Sequence, residues 1–165
     1  MSTEFGESFV GEGVDAAHVN TVLGAVGGPV ETAWVTALAT PRAGHVPFVA
    51  TVRPGVAVRP FTLFVNKATI DSERHAELTW GAAQAGVAAG VREAVAEGTV
   101  AEAEVPALLL VAAVWVNPRA ADEHLVFANN SVATLGALRA GRQGEPSVAD
   151  AVAARHAPSN AYYRT

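Results

Sequence analysis

Ala17, Val19 and Thr21 alternate with His18, Asn20 and Val22, a period of two that predicts a half-buried strand with its polar side chains on one face. Short apolar pieces punctuated by Gly11, Gly13 and Gly24 predict strands and turns over 9–26. Gly27, Gly28 and Pro29 then open a segment in which Val30, Ala33, Trp34, Ala37 and Leu38 recur at helical spacing. With proline in the first turn and Glu31 near the positive end of the dipole, this predicts a helix over 29–39.

The β-rich run 46–52 predicts a strand that ends before Pro54 and Gly55, and 61–65 predicts another, leading into Asn66, Lys67, Ala68 and Thr69. Asp71 or Ser72 is placed to cap a helix running to Trp80. After a break at Gly81, a second, alanine-rich helix is expected to reach Glu97 and stop at Gly98. The continuous apolar run 108–116 reads as a strand covered on both faces. A long helix is predicted over 120–140, with Leu125, Val132, Leu135 and Leu138 apolar and Gly141 ending it, and a short one over 147–156. Strands first, then helices, with one later strand, imply an α+β fold in which a sheet has helices packed against it. No linker or repeat interrupts the order, so residues 1–165 are expected to form a single domain of a length that buries a core unaided.

Charge narrows the function classes. Eleven basic against sixteen acidic residues give a net charge of -5, and no run of Lys or Arg offers a face for nucleic acid. The absence of cysteine removes disulfides, thiolate nucleophiles and cysteine-ligated zinc. Glu4, Glu7 and Glu12 stand where a secretory signal would be basic, and the longest apolar stretch, 105–116, contains Pro106 and is far short of the roughly 20 residues that cross a bilayer. A cytoplasmic protein bound to neither membrane nor nucleic acid is the expectation. The basic residues are ten arginines and one lysine, Lys67, so the lysine position draws attention as a site that needs an ammonium.

The five histidines show no metal-ligand spacing, and no Gly-x-Ser-x-Gly elbow occurs, so neither a metal site nor a serine hydrolase is expected. The glycines at 24, 27 and 28 lack the dinucleotide spacing and read as a helix entry. Asp15 with Glu12, and Glu102 with Glu104, read as solvated surface. Three polar islands remain: His18 with Asn20, Lys67 with Thr69, and Gln84. In an ideal strand each pair points to one side, and an imidazole, an ammonium and an amide together suit a small polar substrate.

An ordered series of motifs then resembles the formaldehyde-activating enzyme family. It comprises Gly6-Glu7, Val10-Gly11-Glu12-Gly13, Ala17-His18, Gly28-Pro29-Val30-Glu31-Thr32-Ala33, Asn66-Lys67-Ala68-Thr69-Ile70, Ala83-Gln84, Ala94-Val95-Ala96-Glu97-Gly98 and Gly144-Glu145-Pro146. The resemblance implies a homopentamer with the fold of ribosomal protein S5 domain 2. It implies a lyase that condenses formaldehyde with tetrahydromethanopterin to 5,10-methylenetetrahydromethanopterin and water, with the pterin as co-substrate and no permanently bound cofactor or metal. By the same resemblance His18 is the proton donor, and Asn20, Val49, Lys67, Thr69 and Gln84 line the pterin site.

The chemistry suits these types. A carbinolamine loses hydroxide poorly until it is protonated, and an imidazole with an ordinary pKa near 6.5 supplies that proton at neutral pH. Lys67 would hold the polar pterin or stabilise developing negative charge, with Gln84 and Thr69 at the ring edge and Val49 on its face; a Schiff base between Lys67 and formaldehyde is a further route. Two departures bear on activity. The family's usual His-x-Asp is His18-Val19-Asn20 here, and its Gly-Pro-Ala-Gln-His is Gly81-Ala82-Ala83-Gln84-Ala85. These changes leave open a homologue that uses another aldehyde or amine carrier, or a non-catalytic pterin- or formaldehyde-binding protein.

Overall fold

The computed structural model describes residues 2–160, so the tyrosine-containing end of the tail lies outside the described residues. The fold is α+β, with a five-stranded mixed sheet and helices packed against it. Strands β1 (Glu4–Val10) and β2 (Ala17–Ala25) form an antiparallel pair. Helix α1 (Pro29–Ala39) follows, with the predicted bounds. The predicted strand over 46–52 is split in two, β3 (Phe48–Val49) and β4 (Thr51–Arg53), with β5 (Val56–Ala57) pairing to β4 in a separate ribbon. Strand β6 (Phe61–Asn66) precedes helix α2 (Glu73–Glu77), whose N-terminus is capped by the Ser72 hydroxyl. Helix α3 (Gln84–Ala96), strand β7 (Leu108–Trp115), helix α4 (Glu123–Gln143) and the short α5 (Val148–Ala153) complete the order.

The sheet runs β1-β2-β7-β6-β3, with β6 and β7 parallel and the other pairs antiparallel. One face carries Ala17, Val19, Thr21 and Leu23 of β2, with Phe64 and Ala112 across the ladder, and it is sealed by α3 and α4. The approach of α4 is close because glycine lines it. A Cβ on Gly6 would meet the Ala137 carbonyl oxygen at 1.8 Å, and one on Gly90 would meet that of Ser131 at 2.5 Å. The buried stripe of α4 is accordingly small and polar, Asn130, Ala133, Thr134 and Ala137 between Val126 and Leu138.

Four further sequence-based expectations change. Gly81 breaks nothing: it lies within a single turn of π-helix, Leu78–Ala83, that joins α2 to α3. Gly141 does not end α4 but sits inside it, where its missing side chain admits the backbone of Phe5 and Gly6. The stop is Gly144, with φ of 68°, where Glu145 N–H donates to the Ala140 carbonyl in a Schellman-type closure. Leu125 and Val132 face outward, at 49% and 58% exposure, so they are not part of the packed stripe. Asp15 is no idle surface carboxylate either: its Oδ1 accepts from Ala121 and Asp122 N–H at 2.7 and 3.0 Å, ahead of the α4 N-cap Asp122.

Candidate active site

The opposite face of the sheet is organised in cross-strand rows. Phe5, Val22, Val111, Leu63 and Val49 form one row, Glu7, Asn20, Ala113 and Val65 the next, and Phe9, His18 and Trp115 the third. Helix α1 closes the far end of this face, where Val30 seats on Gly24. The end bearing His18 stays open, with 35% of the His18 side chain reached by solvent.

Alternation along β2 sends His18 and Asn20 onto this face, as the sequence predicts. Lys67 arrives from the end of β6, where its N–H extends the parallel ladder to the Val114 carbonyl at 2.7 Å. Its turn is built by the buried Asn66, whose side-chain amide donates to the Gly44 and Ala68 carbonyls, both at 2.8 Å. From there Lys67 Nζ donates to Asn20 Oδ1 at 2.7 Å and lies 3.3 Å from His18 Nδ1. His18 Nε2 in turn lies 2.8 Å from Glu7 Oε1 on β1. Phe9 flanks the imidazole, with ring centroids 6.0 Å apart. Burial holds the Lys67 ammonium below the usual lysine range, and the Glu7 carboxylate offsets this only in part.

Of the six residues drawn from the sequence, His18, Asn20 and Lys67 thus form one hydrogen-bonded cluster. Val49 shares their sheet face, one row from Asn20 and two from His18. Thr69 lies outside this hydrogen-bonded cluster: its hydroxyl meets His45 Nε2 at 3.0 Å while His45 Nδ1 bonds the Asn66 carbonyl. Gln84 heads α3 and ties it to β4: its Oε1 accepts from the N–H and hydroxyl of Thr51, and its Nε2 donates to the Thr51 carbonyl at 3.0 Å. One amide hydrogen of Gln84 remains for another partner. Glu7 is the residue that sequence reasoning missed as part of the site. Its signal was present in the Gly6-Glu7 match, but its contact with His18 depends on the β1–β2 register, which spacing does not disclose.

An imidazole, an ammonium and a carboxylate linked in succession on a solvent-reached part of the sheet are groups that can hold and move a proton. The family model for formaldehyde-activating enzyme (Fae) matches residues 5–163, and the chain belongs to that family. It is 36% identical to the 5,6,7,8-tetrahydromethanopterin hydro-lyase of Methanosarcina barkeri over 162 residues, 98% of this chain and 91% of that protein. It is 36% identical over 148 residues to the bifunctional enzyme Fae/Hps of Archaeoglobus fulgidus, and 34% identical over 145 residues to that of Methanosarcina mazei. The chain spans only 38% and 37% of the length of those two bifunctional proteins. Among the described residues, no helix is long and apolar enough to cross a membrane.

Proposed function

We propose that this chain is a lyase of one-carbon metabolism that condenses formaldehyde with tetrahydromethanopterin to the 5,10-methylene derivative and water. Family membership and the name of the hydro-lyase relative support the reaction, and the observation that carries it to particular atoms is the Lys67–His18 contact on the open face. A pterin N–H adds to the formaldehyde carbon to give a carbinolamine. Its hydroxyl takes a proton from His18 and leaves as water, and the second pterin nitrogen closes on the resulting iminium, forming the methylene bridge and releasing a proton. In this reading His18 is the acid, with Asn20, Val49, Lys67, Thr69 and Gln84 as the pterin pocket and no permanently bound cofactor or metal. Positioning of two reactants contributes beyond the roughly 10²- to 10⁴-fold of the acid itself.

The single domain over 1–165, the ribosomal protein S5 domain 2-like fold, the homopentamer and the cytoplasmic location belong to the same proposal, together with the absence of membrane and nucleic-acid partners. Exposed Phe5 on the edge strand β1, at 68%, and Leu125 and Phe127 on α4 are apolar surface that assembly would cover. One observation favours a second reading, a different amine carrier. Lys67 bonds a neutral amide at position 20, where the family pattern usually has aspartate, so the charge the pocket presents to a substrate is changed. The test is the rate of methylene formation from formaldehyde with tetrahydromethanopterin and, in parallel, with tetrahydrofolate. Acceleration with the first supports the proposal, and acceleration only with the second supports the alternative carrier.

A further inference from the structure

The three polar contacts in the cluster admit one arrangement of hydrogens when the imidazole is neutral. An ammonium has three donors and no acceptor, so Lys67 Nζ donates to Asn20 Oδ1 and points a second hydrogen at His18 Nδ1. Nδ1 must therefore accept, which places the ring hydrogen on Nε2. That nitrogen faces Glu7 Oε1 at 2.8 Å, and a carboxylate only accepts. The other tautomer would set two donors against each other at Nδ1 and two lone pairs against each other at Nε2. When His18 instead carries both ring hydrogens, Nδ1–H faces Nζ, which can pair with it only as the neutral amine. Proton occupancy of the two nitrogens is thus exclusive.

We propose that Glu7 is a positioning residue for the reaction, holding His18 as the Nε2–H tautomer so that Nδ1 and Lys67 Nζ share one proton and deliver it as a unit. This rests on His18 acting as the acid, as proposed above. Burial that weakens the hold of Lys67 on its proton favours the sharing. Glu7 is more than half exposed, at 58%, so its contact with His18 adds little to stability, and the use of the pair lies in orientation. Phe9 flanks the imidazole without choosing between its tautomers, whereas Lys67 Nζ at Nδ1 and Glu7 Oε1 at Nε2 both favour Nε2–H, and Glu7 is the one of the two that does not hold the shared proton.

Two measurements on the full chain decide this. In ¹⁵N-histidine-labelled protein, long-range ¹H–¹⁵N spectra separate the two tautomers, and His18 is identified as the resonance absent from His18→Ala. The wild type is expected to show the Nε2–H form. Glu7→Gln, whose amide pairs with either tautomer, leaves Lys67 alone to bias the ring and is expected to raise the Nδ1–H share, and Glu7→Asp to recover much of the preference. Kinetically, Glu7→Gln should lower kcat about 10- to 100-fold, less than loss of the acid itself, with KM changed less than about twofold. An Nδ1–H tautomer in the wild type, or a tautomer indifferent to Glu7→Gln, would overturn the proposal, as would a raised KM at unchanged kcat. Should the wild type fail to accelerate the condensation, the reaction assignment falls while the spectra still judge Glu7.

Discussion

Replacing Gly90 by alanine sets two opposed effects against each other. In a helix interior alanine is favoured over glycine by about 0.8–1.0 kcal/mol. At this position, however, the new Cβ would lie 2.5 Å from the Ser131 carbonyl oxygen, 2.8 Å from Thr134 Cβ and 3.2 Å from the Leu135 nitrogen. Comfortable separation for carbon is about 3.5 Å or more, so α3 and α4 must part by roughly 1 Å at their crossing. Two of the three atoms are backbone, and no rotamer change relieves them. Overpacking costs about 1–3 kcal/mol, and rigid partners place this case near the upper end. After the helix gain is subtracted, a net loss of about 2 kcal/mol remains. Gly81→Ala is the control, because nothing lies within 4 Å of its Cβ position, and it should stabilise by up to about 1 kcal/mol. Urea unfolding followed by tryptophan fluorescence, at one fixed protein concentration, measures both. Gly90→Ala matching or exceeding the wild type would refute the close crossing.

Other consequences follow from the same geometry. Gln84→Ala strands the Thr51 groups that its amide satisfies and should cost about 1–3 kcal/mol in urea unfolding, loosening β4 in hydrogen exchange. Asp122→Ala removes a side chain that accepts from His124 and Leu125 N–H, and should lower stability by about 1 kcal/mol in the same assay. Lys67 has a lowered pKa in the folded chain, so between that value and the ordinary lysine value the unfolded chain binds more protons and stability rises with pH. Lys67→Met should therefore melt slightly higher than the wild type near pH 7, by less than about 1 kcal/mol, and the gap should close as pH approaches 10. Asn20→Asp should raise the condensation rate if tetrahydromethanopterin is the natural carrier, and leave it unchanged if another carrier is.

Local pattern carried the elements whose cues were local. The period-two run around His18 and Asn20, the Pro29 helix entry and the apolar β7 are all where side-chain alternation and capping place them. Gly141 and Gly81 misled because glycine serves two purposes that look alike in a sequence. Gly144 takes the left-handed conformation that ends a helix, whereas Gly141 makes room for the backbone of β1. The site divided along the same line. His18 and Asn20 lie two apart on one strand, so their shared face was legible; their meeting with Lys67 depends on two strand pairings, β2 with β7 and β7 with β6. The engagement of Thr69 with His45, and of Gln84 with Thr51, comes from loop packing that no periodicity encodes.

The central claim is that His18 protonates the departing hydroxyl of a formaldehyde–pterin adduct. Its most direct test is the initial rate of methylenetetrahydromethanopterin formation, followed by absorbance, for wild type and His18→Ala against the uncatalysed background. The account predicts clear acceleration by the wild type and a loss of about 10²- to 10⁴-fold in kcat on removing the imidazole, with folding unchanged by circular dichroism. A wild-type rate equal to background, or a His18→Ala rate equal to that of the wild type, would contradict it.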